Sequence, residues 1–213
     1  MKTIRKIKIG RILIIVDPQL DFMESGALAV TGGSALMKMI NALMATGEYD
    51  LIIVTQDWHP EGHYEFASRH GVAPFAMVKR NGVEQMVFFD HCKQNSSGAM
   101  IHPLLDMSKV ALIVRKGMDP DVASHSAFFS GVNENGERIT TGLAESLSAY
   151  DFEGIDVVCL AFDVCVKDSA KDAKMEFPEA EVRVLKEYCA SVFPENDEQI
   201  IQELEAAEVV VVR

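Results

Sequence analysis

The sequence predicts an α/β fold: a three-layer, doubly wound arrangement with a six-stranded, mostly parallel sheet and helices on both faces. Three observations carry this. Six short runs are nearly continuous in Val, Ile and Leu, as strands buried on both faces read: Ile12–Val16, Leu51–Thr55, Val110–Val114, Ile155–Ala161, Val182–Leu185 and Val209–Val212. Segments with helical spacing lie between them. Strand–helix alternation of this kind calls for crossovers, which in a parallel sheet are right-handed.

The elements follow in chain order. A basic start, Met1–Lys8, leads into IGRILIIV and has the look of a signal peptide's front end. Arg11 interrupts the apolar stretch, Asp17 closes it and no clean cleavage site follows, so it reads as a first strand. Ser34–Ala45 is helical in spacing and is ended by Gly47. From Trp58 to Asp106 no strand or helix is predicted, only Pro, Gly, His and short apolar pieces. Long irregular segments in compact domains are usually functional, and this one holds His59, His63, His70, His91 and His102, five of the six histidines. After the turn-rich Asn133–Gly136, a helix is expected over Thr141–Tyr150, with a candidate capping box in Thr141 and Glu145. Val164–Glu176 is a helix stopped by Pro178, and Asp197–Ala207 is one that begins after Pro194.

Length and charge bound the function. The 213 residues are expected to form one domain, residues 1–213, with the irregular stretch 58–106 as a long loop region. Twenty Lys and Arg against 32 Asp and Glu give a net charge of −12, which disfavours nucleic acid and anionic membrane surfaces as partners. No apolar run approaches the ~18–20 residues that span a bilayer. The four cysteines, Cys92, Cys159, Cys165 and Cys189, form no CxxC, so free thiols in a reducing cytoplasm are expected.

In open α/β sheets ligands bind beyond the carboxyl ends of the strands. Asp17 follows the first run, Gln56-Asp57-Trp58-His59 the second, Arg115-Lys116 the third and Phe162-Asp163-Val164-Cys165 the fourth. An acid, an Asp-x-His pair, a lysine and a thiol therefore converge on one sheet edge. Cys165 stands at the expected start of a helix, where partial positive charge favours a thiolate; the competing reading is a small buried hydrophobe, which Cys159 fits. Asp17 could merely cap a turn and Lys116 merely face solvent. In one cleft they would serve the thiol as acid–base partner and tuning charge. Asp57, His59, His63 and His91 offer oxygen and imidazole ligands of the kind that hold Zn, Fe or Mn. Against that stands the ordinary structural histidine.

The motifs DPQLDF (Asp17–Phe22), TQDWHPEGHYEFA (Thr55–Ala67), FFDHC with SSGAMIHP (Phe88–Pro103), RKGMDP (Arg115–Pro120), SHSAFF (Ser124–Phe129) and LAFDVCVKDSA (Leu160–Ala170) resemble the isochorismatase-like hydrolases. Within them they are similar to the metal-containing nicotinamidase/pyrazinamidase branch. The match runs in order from about Arg11 to Ser191. It implies that Asp17, Lys116 and Cys165 are the catalytic triad, and that the N–H groups of Ala161 and Cys165, beside a cis peptide, form an oxyanion hole. It further implies one divalent metal ion, zinc foremost, on Asp57, His59 and His91, with His63 a fourth ligand or near neighbour. Phe22, Phe88 and His125 would bind the substrate ring. Phe88, His125 and Phe162 depart from the family's usual Trp, Tyr and Thr, which bears on pocket shape.

The activity implied is hydrolysis of nicotinamide to nicotinate and ammonia through a cysteine thioester, as in NAD salvage, with pyrazinamide a further substrate. The partner is then a small-molecule amide, and homo-oligomers are left open. The nearest alternative is a related hydrolase of ureido, N-carbamoyl or similar small substrates, many of which lack the metal. A binding module that lost the chemistry would not need Asp17, Lys116 and Cys165 intact, and a metal-storage module would not explain the thiol and lysine.

Overall fold

Residues 12–16 have no exposed surface, and the sheet is built outward from them. The computed structural model describes residues 5–80, 83–132 and 135–213. Six strands form its main sheet: β1 (Arg11–Val16), β2 (Tyr49–Asp57), β3 (Leu112–Lys116), β4 (Gly154–Leu160), β5 (Glu181–Ala190) and β6 (Val210–Val212). Their order is β6-β5-β4-β1-β2-β3, and every neighbouring pair is parallel. β1 and β4 sit at the centre, where strand order reverses. A crevice opens beyond the carboxyl ends at such a point. Asp17 follows one of these strands and the Cys165 turn follows the other.

The helices are α1 (Gly33–Ala45), α2 (Leu143–Leu147), α3 (Lys167–Glu176) and α4 (Asp197–Ala206). Right-handed crossovers put α1 on one face and α3 and α4 on the other. α1 and α3 pack on β4 and β5, and α4 packs on α3 and β6. α1 buries Leu36, Met37, Ile40, Leu43 and Met44, an i, i+1, i+4, i+7, i+8 stripe. Burial of each large side chain stabilises the layer by about 1.5–3 kcal/mol. Gly47, at φ +81°, turns the chain out of the helix in a conformation that costs other residues energy.

The sheet's amino end carries a buried ion cluster. Asp156 on β4 accepts from Arg11 Nη2 at 2.6 Å, Arg183 Nε at 2.8 Å and Tyr49 OH at 2.7 Å. Burial opposes its charge, yet these hydrogen bonds hold its pKa below the usual carboxylate range.

Several expectations need correction. The third strand starts later than Val110 and ends on Lys116, because residues 107–109 form a 3₁₀ turn first. The fifth runs on to Ala190. The helix expected over Thr141–Tyr150 is only Leu143–Leu147, opened by Gly142 at φ +85°. Its capping box does not form: Thr141 Oγ1 donates to Ala127 O at 2.7 Å, and it is Thr140 that bonds Glu145. The stretch 58–106 holds a helical turn, Ala67–His70, and an antiparallel hairpin, Met77–Arg80 with Val83–Met86. Of the basic start, Ile7–Lys8 pairs with Tyr150–Asp151, while residues 1–4 lie outside the described residues, as do 133 and 134 of the expected Asn133–Gly136 turn.

Candidate active site

Lys116 is wholly buried at the end of β3, opposite Asp57 at the end of β2. Its Nζ lies 2.6 Å from Asp57 Oδ1, 2.9 Å from Asp17 Oδ2 and 3.5 Å from Cys165 Sγ. Burial disfavours the ammonium, but Asp17 and Asp57 raise its pKa well above the usual lysine value. Asp17, at φ +48°, is locked by Thr55: its N–H donates to Thr55 Oγ1 at 3.0 Å, and that hydroxyl donates to Asp17 Oδ1 at 2.6 Å. Burial pushes Asp17 up to about 6, against the pull of Lys116. Burial works against the Asp57 charge too, yet Lys116 and then His59 hold its pKa well below the usual range. The two carboxylates and the thiol present atoms within 4.8 Å of one another.

Cys165 differs from expectation. It sits in a π-helical turn, Phe162–Val166, and α3 begins only at Lys167. Burial pushes its thiol well above the usual cysteine value, with Lys116 opposing only in part. The resting group is therefore a neutral thiol that needs a base, and Asp17 is the carboxylate beside it whose proton affinity is raised. The Leu160–Ala161 peptide that precedes this turn is cis.

Asp57, His59 and His91 form one grouping whose ligand atoms lie within 4.8 Å of one another; His59, His63 and Glu65 form a second. His59 Nδ1 faces Gly117 O at 3.0 Å and His91 Nδ1 faces Phe89 O at 2.7 Å. A carbonyl can only accept, so each Nδ1 carries a proton, and in the neutral ring that leaves the lone pair on Nε2. His59 Nε2 is buried without a hydrogen-bond partner. One carboxylate and two such imidazoles fit a divalent ion. His63 is set apart: Glu65 N–H donates to its Nδ1 at 3.3 Å, which puts the proton of a neutral ring on Nε2. Burial brings both His63 and His91 down to about 4, while Asp57 raises His59 against burial. Gln19 fixes the backbone here, accepting from Asp57 N at 2.7 Å and donating to Asp57 O at 2.8 Å.

Above these groups lies a pocket walled by Phe22, Leu28, Phe88, His125, Val164 and Val192, with Cys165, Ala161, Asp57, Glu65 and His91 also lining it. The three residues singled out for ring binding, Phe22, Phe88 and His125, all reach it. Phe162 does not line it; its buried ring lies under Lys186, whose Nζ is 4.5 Å from the centroid. His70 is outside as well, bonded to Tyr64 O. Sequence reasoning missed Glu65 and Thr55. Period-two alternation from His63 was a signal for Glu65; Thr55 offered only its place near a strand end.

The isochorismatase-domain family model matches residues 11–213. The Escherichia coli nicotinamidase is 37% identical over 202 residues, covering 92% of each chain. A solved nicotinamidase/pyrazinamidase of Acinetobacter baumannii is 30% identical, with a TM-score of 0.86 and 95% of each chain covered. A Pyrococcus horikoshii pyrazinamidase solved in complex with zinc is 28% identical, with a TM-score of 0.75 over 95% of this chain and 98% of that one. A match that begins at the first residue of β1 and continues through β6 takes in the whole main sheet and both sides of its crevice: the chain belongs to the isochorismatase-domain family.

Proposed function

We propose that the chain is a single hydrolase domain that converts nicotinamide to nicotinate and ammonia, and that it also takes pyrazinamide. The observation that carries this is Lys116 Nζ at 2.9 Å from Asp17 and 3.5 Å from Cys165 Sγ, beneath a pocket walled by Phe22 and Phe88. The names of its relatives support the substrate class.

Asp17 takes the proton of the Cys165 thiol, and Sγ attacks the amide carbon. The N–H groups of Ala161 and Cys165 hold the resulting oxyanion; losing one such donor typically costs ~10²–10³ in rate. Asp17 returns the proton to the leaving nitrogen, ammonia departs and a thioester remains. A water that gives its proton to Asp17 then attacks the thioester; nicotinate leaves, and the proton returns to Sγ. Lys116 keeps Asp17 oriented and offsets the charge of the two carboxylates through each transfer. Phe22, Phe88 and His125 hold the ring so that the carbonyl meets Sγ at attack distance. Asp57, His59 and His91 would hold a divalent ion, zinc foremost, with His63 as neighbour. When bound, that ion supplies a Lewis-acidic docking point for the ring nitrogen.

The test is ammonia release across nicotinamide, pyrazinamide, a ureido acid and an N-carbamoyl amine. Nicotinamide is expected to be turned over fastest. Turnover confined to the ureido or carbamoyl compound would replace this reading with the related-hydrolase one.

A further inference from the structure

We propose that Glu65 is a positioning residue for substrate: with Asp168 it pins the His125 ring as a fixed wall of the pocket, and so sets which amide-bearing rings are accepted. This rests on the amidase reading above.

The three residues come from three separate segments. Glu65 lies on the irregular stretch after β2, His125 on the connection after β3, and Asp168 in the first turn of α3. His125 Nε2 is 2.6 Å from Glu65 Oε1, and its Nδ1 is 3.2 Å from Asp168 Oδ2. Glu65 is buried, with 2% of its side chain exposed, and it lines the same pocket as Cys165. A carboxylate that deep must be paired, and removing the partner of a buried charge costs more than the pair itself contributes. His125 is therefore held at Nδ1 by a hydrogen bond and at Nε2 by a close ion-pair contact outside hydrogen-bond geometry. Burial opposes its charge, yet Glu65 and then Asp168 keep its pKa up at about 10.

The consequence is geometric. With a carboxylate oxygen near each ring nitrogen, a hydrogen bond at Nδ1 and an ion-pair contact at Nε2 restrain the turning of His125. It presents ring face and carbon edge, 6.2 Å from Phe88 and inclined at 78° to it. Behind it lies a wider surface hollow lined by Ser126, Phe129, Arg138 and Lys171, and His125 borders both spaces. The pinned ring is the partition between them. It excludes rings with a substituent directed toward that hollow.

Glu65 Oε2 also lies 3.6 Å from His63 Nδ1 and 3.9 Å from His59 Nε2, so the experiment must separate positioning from metal ligation. Wild type, Glu65→Gln, His125→Tyr and the double variant are assayed on nicotinamide and on ring-methylated nicotinamides, with zinc content measured for each. Failure of the wild type to release ammonia from nicotinamide would defeat the amidase reading itself. Given wild-type turnover, Glu65→Gln is expected to raise KM for nicotinamide about tenfold with kcat little changed. It should also narrow the preference over the methylated rings and leave the zinc content as in wild type. In the His125→Tyr background the same change should cost much less, because the neutral ring no longer needs the carboxylate. Loss of zinc in Glu65→Gln, equal costs in both backgrounds, or a fall in kcat alone would overturn the proposal. Should Glu65→Gln not fold, Asp168→Asn at the more exposed end carries the test. The same shifts at smaller size support the proposal, and unchanged KM and selectivity overturn it.

Discussion

The two ends of one sheet bury ion clusters of opposite make-up. At the amino end the buried carboxylate Asp156 meets Arg11, Arg183 and Tyr49, with both of its oxygens bonded, and the half-exposed Glu181 pairs with Arg11 from outside. At the carboxyl end a single ammonium, Lys116, meets Asp17, Asp57 and the Cys165 thiol. The ratio of charges decides what each carboxylate becomes. Burial opposes the Asp156 charge, but hydrogen bonds from Arg183, Arg11 and Tyr49 outweigh it, so its proton affinity drops and it acts as a staple. Asp17 shares one cation with Asp57, so burial wins and its proton affinity rises. A carboxylate with lowered and one with raised proton affinity are thus built from the same side chain at opposite ends of adjacent strands.

The largest expected effect breaks the carboxyl-end cluster. Lys116→Met leaves Asp17 and Asp57 buried without their shared cation. Ammonia release should fall at least about a thousandfold, and urea melts should show about 3–5 kcal/mol of lost stability. Retained turnover would contradict the role given to this cluster. Next comes Gly117→Ala. A Cβ there would sit 2.3 Å from the His59 ring, at φ +64°, so the ring must move off its Gly117 carbonyl. Metal affinity, read by titration against a chelator, should drop about 10–100-fold. Unchanged affinity would mean that the ring's seating does not govern binding.

Acidification distinguishes the ends further. Asp17 is a carboxylate only above its raised pKa of about 6. The acid limb of kcat/KM should therefore bend there and fall about tenfold per pH unit below it. Asp156 has the opposite sign: its folded-state pKa is lowered, so the stability it contributes is present above the unfolded carboxylate value and is lost only as pH falls through the folded one. A limb bending near pH 4 instead would remove Asp17 as the base. The smallest effect belongs to Asp156→Asn, which should cost about 1–3 kcal/mol in melts and leave kcat as in wild type. A large fall in kcat would mean the amino-end cluster shapes the site as well.

Much of this was legible in order along the chain. Continuous apolar runs marked the six strands, because residues buried on both faces cannot alternate. The residues just past those runs, Asp17, Asp57, Lys116 and Cys165, come together because parallel strands end on one edge. Boundaries were less legible. Val110 reads as strand, yet the backbone turns there before entering β3. Thr141 and Glu145 read as a cap, yet Thr141 bonds Ala127 across the fold. The long histidine-rich stretch hid a hairpin, Met77–Arg80 with Val83–Met86, in which residues 77–79 and 84–86 are exposed or half-buried.

What the sequence by itself determined is the architecture, its family resemblance and the gathering of Asp17, Lys116, Cys165 and the Asp57–His59 pair at one sheet edge. These follow from local pattern and from motifs that keep their order. What only the tertiary structure decided is their chemical state. Cys165 is a neutral thiol because packing buries it deeper than a helix start would. Asp17 is raised because packing buries it, with Asp57 beside it adding to the effect. His125 has an acidic neighbour at each nitrogen because Glu65 and Asp168, 60 and 43 positions away in the chain, arrive beside it. Protonation and orientation depend on distances between side chains and on the water excluded around them, and those are fixed only when separate segments pack together.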